Sequence, residues 1–305
     1  MAGGYSAAFA ASIDDTVLAK QVDVGGGRML YLYWSGSVHP GRPTIILISG
    51  YHDSSDPWTQ QDVLSLLPQA TGPSVLSGLA RTDRVCAYDR PGTLRYIDGL
   101  PLTDRSTPVA QPRTIKELAD ELKALLTAAQ VPGPYVLVCH SLGGLLGLFY
   151  ARTFPEDARG IVFVDAFSPT IPTKMGRLWP LYLSVLNPPP ERQPIASLKQ
   201  AMSETVDIDI SVEQVKHAPS LRSMPLAVLT KTEPFRIPPG SLPSGLTLSD
   251  IDKSYNDAQG YLVDLAPTTP QVFATGSEHY IQLSQPDLVI NTARLIIDRA
   301  TSKSK

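Results

Sequence analysis

A serine hydroxyl becomes a useful nucleophile only where the chain thrusts it outward on a sharp turn and supplies a base, and Ser141 meets the first condition. Val136, Leu137 and Val138 read as a buried strand. Leu142 onward, through Leu145, Leu146, Leu148, Phe149 and Tyr150, reads as a helix, so Ser141 falls on a strand-to-helix turn. Such a turn presses the backbone against its neighbours and calls for small residues two positions before and two after the serine. Gly143 fills the second position and Cys139 the first. The helix start that follows offers unpaired N–H groups and a positive dipole end to the oxyanion of a tetrahedral intermediate. Taken alone, the stretch also fits a serine that merely caps a helix.

The elements around Ser141 decide between these. Residues 16–24 and 29–34, rich in β-branched and aromatic side chains, flank Gly25-Gly26-Gly27 and suggest a hairpin. Residues 43–48 form an apolar run too short for a helix, ending in Ser49-Gly50, and residues 84–88 form a second. A helix is expected from Asp56-Pro57-Trp58, with Asp56 as cap, and another from Thr114, where Thr114 and Glu117 match a capping box. Residues 93–113 read as a long loop, and residues 159–164 as a strand ending in Asp165. Strands at 225–231 and 271–275 follow, with loop over 234–257, a helix over 258–265 and a last helix from Pro286. This alternation requires a parallel sheet with right-handed crossovers, whose ligands bind at the carboxyl ends of the strands. Ser49-Gly50-Tyr51 and Ser141 both fall at such ends.

The stretch Cys139-His140-Ser141-Leu142-Gly143 resembles the nucleophile elbow of the α/β-hydrolase superfamily, with cysteine in place of the first glycine. Tyr88-Asp89-Arg90-Pro91-Gly92 resembles a turn common in that family, in which Asp89 and Arg90 are expected to form a structural pair. Gly276-Ser277-Glu278-His279-Tyr280-Ile281-Gln282, followed by Pro286-Asp287, resembles its tail, where the histidine is the general base. The likeness runs from about residue 22 to residue 299. It implies an eight-stranded, mostly parallel sheet with helices on both faces, split as core (16–166 and 224–300) around an inserted helical cap (167–223). It also implies His279 as base and the N–H groups of Tyr51 and Leu142 as oxyanion donors. The orienting acid is either Asp165, at a strand end, or Glu233, near the more usual place, and Asp165 is favoured. Among the other histidines, His140 is expected to point away from Ser141, His39 lies in a turn, and His217 lies in the cap. His52 is either a surface residue or a substrate contact.

The implied chemistry is two-step acyl transfer without a cofactor, on a hydrophobic ester, lactone or thioester, since residues 178–186 of the cap are apolar almost all round. A carbon–carbon hydrolase, a hydroxynitrile lyase, a cofactor-free haloperoxidase or a receptor-like binding protein could use the same residues. Composition narrows the partners. A formal charge of −3 without a basic cluster argues against nucleic acid, no run suits a membrane span, and no metal-ligand cluster is apparent. Cys86 and Cys139 each lie in a strand and suit reduced, buried thiols. Residues 1–15 are expected to be a flexible arm on a cytoplasmic protein, monomeric or homodimeric, with no signal-peptide pattern.

Overall fold

The two runs flanking the glycines become β1 (Leu18–Asp23) and β2 (Met29–Ser35), an antiparallel pair in which Leu18 faces Trp34 and Asp23 faces Met29. β3 (Thr44–Ile48) and β4 (Val85–Asp89) follow, separated by the short helices α1 (Asp56–Thr59) and α2 (Val75–Ala80). A small hairpin, β5 (Arg95–Ile97) and β6 (Leu100–Leu102), precedes α3 (Ile115–Ala128), β7 (Tyr135–His140), α4 (Leu142–Thr153) and β8 (Ala158–Val164). Between β8 and β9 (Leu226–Lys231) lie α5 (Ile171–Met175), a 3₁₀ turn, α6 (Trp179–Leu186) and α7 (Ile208–His217). α8 (Leu248–Val263), β10 (Gln271–Ala274), α9 (Ile281–Ser284) and α10 (Pro286–Ser302) complete the chain. This computed structural model describes residues 18–64, 67–188, 203–238 and 240–302, so the arm expected at 1–15, and Pro189 and Pro190 of the proline run, lie outside the described residues.

The main sheet has the order β1-β2-β4-β3-β7-β8-β9-β10, parallel from β4 onward, which is the expected eight-stranded architecture. Its central strands are apolar on both faces because helices cover both. Ile46, Ile48, Leu137, Cys139 and Phe163 pack towards α3, α4 and α8. Ile45, Leu47, Val136, Val138 and Val162 pack towards α2 and α10. This two-residue alternation is what a strand imposes on neighbouring side chains. No helix among the described residues is long and apolar enough to cross a membrane.

Three local expectations are corrected. Residues 93–113 contain the β5–β6 hairpin, whose turn Asp98-Gly99 has φ of 50° and 78°; an Asp-Gly pair with both residues left-handed is the favoured two-residue hairpin turn. α8 begins ten residues before the expected 258, started by a capping box in which Thr247 accepts from the Asp250 N–H and Asp250 accepts from that of Thr247. Its polar first turns hid the helical spacing. α1 is preceded by Ser55 without a side-chain cap, because Asp56 instead accepts from Arg105, Nη1 to Oδ1 at 2.7 Å.

Candidate active site

Ser141 holds φ 50° and ψ −124°, a conformation that side-chain-bearing residues rarely adopt and that surrounding packing must enforce. The packing is visible in the glycines. A Cβ on Gly143 would stand 2.5 Å from the Ile48 carbonyl oxygen, and one on Gly144 would stand 2.3 Å from Ala166 Cβ. The start of α4 is thereby wedged between the ends of β3 and β8. Cys139 is accommodated further along, since its Sγ occupies the space where a Cβ on Gly147 would lie 2.4 Å away. Both cysteines are free and buried.

His279 follows β10 and shares one cavity of about 540 Å³ with Ser141. Its Nδ1–H donates to Asp165 Oδ2 at 2.6 Å, which leaves Nε2 as the ring nitrogen with a free lone pair. Asp165 is fully buried, with φ 39° at the end of β8, and its Oδ1 accepts from the Lys231 N–H at 3.2 Å. Burial pushes the Asp165 carboxyl up and His279 down, and the buried Lys231 ammonium lowers both. Glu233, the other acid considered, is exposed and meets Thr232 Oγ1 at 3.3 Å instead. The Tyr255 hydroxyl lines the same cavity as Ser141 and donates to the Asp165 carbonyl at 3.1 Å. Among the described residues no hydrogen bond joins Ser141 to His279.

The turn after β3 is held from outside. Arg90, buried, donates from Nη1 to the Ser49 carbonyl at 3.0 Å and from Nη2 to the Gly50 carbonyl at 2.5 Å. In a trans peptide the N–H opposes the C=O, so this fixes the Tyr51 N–H on the side away from Arg90. Arg90 is clamped in turn by Glu204, Nε to Oε1 at 2.5 Å and Nη2 to Oε2 at 3.1 Å, and Glu204 Oε2 also accepts from the His52 N–H at 2.8 Å. Burial alone would raise the Glu204 carboxyl, but Arg90 outweighs it and holds it below the usual carboxylate range. The expected pairing of Asp89 with Arg90 is corrected, because consecutive residues leaving a strand face opposite sides. Asp89 accepts from the Ser55 N–H at 2.6 Å and from Arg105 at 3.3 Å.

The remaining histidines also find their places. His52 lines the cavity, its ring stacked on Tyr51 at 3.8 Å between centroids, and burial lowers it. His140 is buried behind His279, ring centroids 4.5 Å apart, and is absent from the cavity wall. His217 is exposed at the end of α7, and His39 is exposed in the turn before β3. Glu204, Tyr255, Lys231 and Asn187 escaped the sequence reading. For Tyr255 the Thr247–Asp250 capping box was the available signal; for Glu204 there was none.

These features, a mostly parallel sheet with a serine on the strand-to-helix turn at its centre and a histidine–aspartate pair beside it, define a class before any comparison. The chain belongs to the alpha/beta hydrolase family, whose model matches residues 45–292. It is 24% identical to the probable transporter efuK of Hormonema carpetanum over 92% of this chain and 43% of that protein. It is 30% identical to a RutD protein of Cronobacter sakazakii, which carries the name carbamate hydrolase, over 46% of this chain and 43% of that one. The chain thus spans less than half the length of these curated relatives. In fold it is similar to a bromoperoxidase from Bacillus anthracis, with TM-score 0.58 and 12% identity, covering 92% of this chain and all of that one.

Proposed function

We propose that this chain is a serine hydrolase that cleaves a carboxylic ester, lactone or thioester of a hydrophobic small molecule. The reading rests chiefly on the His279–Asp165 hydrogen bond, made in the same cavity as Ser141. Ser141 Oγ attacks the carbonyl while His279 Nε2 takes its proton. Asp165 holds the imidazole in the tautomer this needs and stabilises the imidazolium that forms. The N–H groups of Tyr51 and Leu142 receive the oxyanion; Leu142, first residue of α4, has no carbonyl one helical turn earlier to bond. His279 then protonates the leaving group, and water deacylates Ser141 by the reverse path.

Residues 167–223 act as the cap in this reading. α6 lends Tyr182, Val185 and Leu186 to the cavity wall, while α7 roots the insertion through the bond from the Ile115 N–H to Ser211 Oγ at 2.9 Å. Tyr51 latches the two sides: its hydroxyl donates to Asn187 Oδ1 and accepts from the Val206 N–H at 2.8 Å. The wall is mainly aliphatic and aromatic, which favours an apolar substrate. The RutD name makes carbamates a class to include beside esters, because the same attack serves both carbonyls.

The test is hydrolysis of p-nitrophenyl acetate and butyrate with burst kinetics. A burst equal to the enzyme concentration, lost in Ser141→Ala and His279→Ala, is the expected result. Absence of turnover together with absence of Ser141 labelling by a fluorophosphonate overturns the proposal.

A further inference from the structure

Two carboxylates stand among the described residues of the cavity wall, Asp53 and Glu204, and their circumstances differ. Glu204 is saturated by Arg90 and the His52 N–H. Asp53 receives one hydrogen bond, from the Tyr280 hydroxyl to Oδ1 at 3.2 Å, and its nearest ring nitrogen, His140 Nδ1, stands 3.8 Å from Oδ2. That nitrogen is no donor. His140 Nε2–H donates to the His279 carbonyl at 3.0 Å, and burial holds the ring well below its ordinary pKa, so Nδ1 carries a lone pair. It is buried, on a residue 1% exposed, and has no hydrogen-bond partner.

Two acceptors therefore face one another with no donor between them, an arrangement that costs free energy until a donor arrives. They do so beside the nucleophile. A Cβ built on Gly50 would lie 2.9 Å from Asp53 Oδ2, 2.9 Å from His140 Nδ1 and 3.1 Å from Ser141 Cβ, so the three groups surround one point. Only a glycine at position 50 lets the three groups approach the backbone so closely. The Asp53 side chain retains 15% exposure, and Asp53 is a cavity-lining residue.

We propose that Asp53, backed by His140, is a second polar subsite that takes a hydroxyl or amide N–H carried by the substrate within a few bonds of the scissile carbonyl. This rests on the acyl-transfer reading given above. A neutral donor fits better than a cation, because Leu64, Leu67 and Leu94 line the same cavity and would desolvate a charge. Burial pushes the Asp53 carboxyl up to about 7, so at pH 8 it is an ionised acceptor with most of its lone pairs unfilled. An apolar substrate lacking a donor would leave it so, and the site should discriminate against it.

The experiment uses two matched pairs at pH 8: p-nitrophenyl butyrate against p-nitrophenyl 3-hydroxybutyrate, and ethyl butyrate against 2-hydroxyethyl butyrate. kcat/KM is measured for wild type, Asp53→Leu and Asp53→Asn, with thermal melts to verify folding. The wild type should favour the hydroxylated member of at least one pair by roughly tenfold or more, a ratio that falls towards one in Asp53→Leu. A wild-type ratio near one in both pairs, or an unchanged ratio in Asp53→Leu, overturns the inference while leaving the hydrolase reading intact. Should Asp53→Leu fail to fold, Asp53→Asn must lower the ratio severalfold, and an unchanged ratio there is equally fatal. No turnover of any ester, with Ser141 unlabelled by a fluorophosphonate, overturns both.

Discussion

The two turns that flank the centre of the sheet are built by opposite means. The turn after β7 is fixed by what its own residues lack: Gly143 and Gly144 let the start of α4 close against β3 and β8, and Ser141 is strained into place as a result. The turn after β3 is fixed by what distant residues supply. Arg90 and Glu204, 114 positions apart, grip the Ser49 and Gly50 carbonyls and the His52 N–H. Backbone geometry held by local packing is rigid but cannot be adjusted. Geometry held by a buried ion pair depends on both partners, and one of them here belongs to the insertion between β8 and β9.

The sharpest way to break this contrast is at Ser141, the proposed nucleophile. Ser141→Ala should lower kcat by about 10⁶-fold, the scale at which a nucleophile and its base act as one unit. Asp165→Asn should lower kcat by about 10⁴-fold, because an amide favours the wrong imidazole tautomer. Glu233→Gln should stay within about twofold, and steady-state kinetics on p-nitrophenyl butyrate separate the two acids. Glu204→Gln tests the second turn: kcat should fall by about 10²-fold with KM changed little, as expected when an oxyanion donor is misplaced. The same substitution strands the buried Arg90 charge, so a calorimetric melt should show destabilisation of about 3 kcal/mol or more. If Glu204→Gln lowers stability but not kcat, the ion pair holds the insertion and does not orient the Tyr51 N–H.

Smaller effects sharpen the picture. Tyr255→Phe removes the hydroxyl that donates to the Asp165 carbonyl and should change kcat by only a few-fold, as measured by burst amplitude and rate. The pH profile should shift in a definite sense. In the proposed mechanism His279 must be neutral to act as base, and burial together with Lys231 lowers it from its ordinary value of 6.5. The protonated, inactive form therefore accumulates only below pH 6.5, and the acid limb of kcat/KM should have its midpoint below that value. The midpoint belongs to the His279–Asp165 pair as a whole. A midpoint above 6.5 would mean that the Asp165 charge outweighs desolvation.

The same contrast explains what could be read in advance. The elbow is legible because a buried strand, an outward serine and a small residue two positions on are all local. The alternation of apolar runs likewise led to the sheet, and His279 was found through a continuous tail motif. Asp165 was reached only as one of two choices, since sequence carries no measure of how far a carboxylate stands from an imidazole. Glu204 could not be found at all: it forms its contacts across the fold, and a lone glutamate after a proline-rich stretch resembles any surface acid. α8 was shortened by half because Ser, Asp and Asn dominate its opening turns, and Tyr255 was hidden with it. Asp53 sat in view within a polar loop, but its shortage of partners is a property of the folded cavity and not of the chain.

Cys139 carries one further consequence. Its sulfur is sealed against Gly147 and burial raises its thiol pKa, two residues from Ser141. Iodoacetamide or maleimide should therefore leave the native protein fully active, although the chain has a cysteine inside its elbow. Once β7 and α4 part, the same thiol becomes alkylatable. Slow labelling at Cys139, followed by mass spectrometry under native conditions, would then time the opening of the sheet's centre. The cysteine that stands where the elbow motif has a glycine doubles as an internal clock for a buried part of the fold.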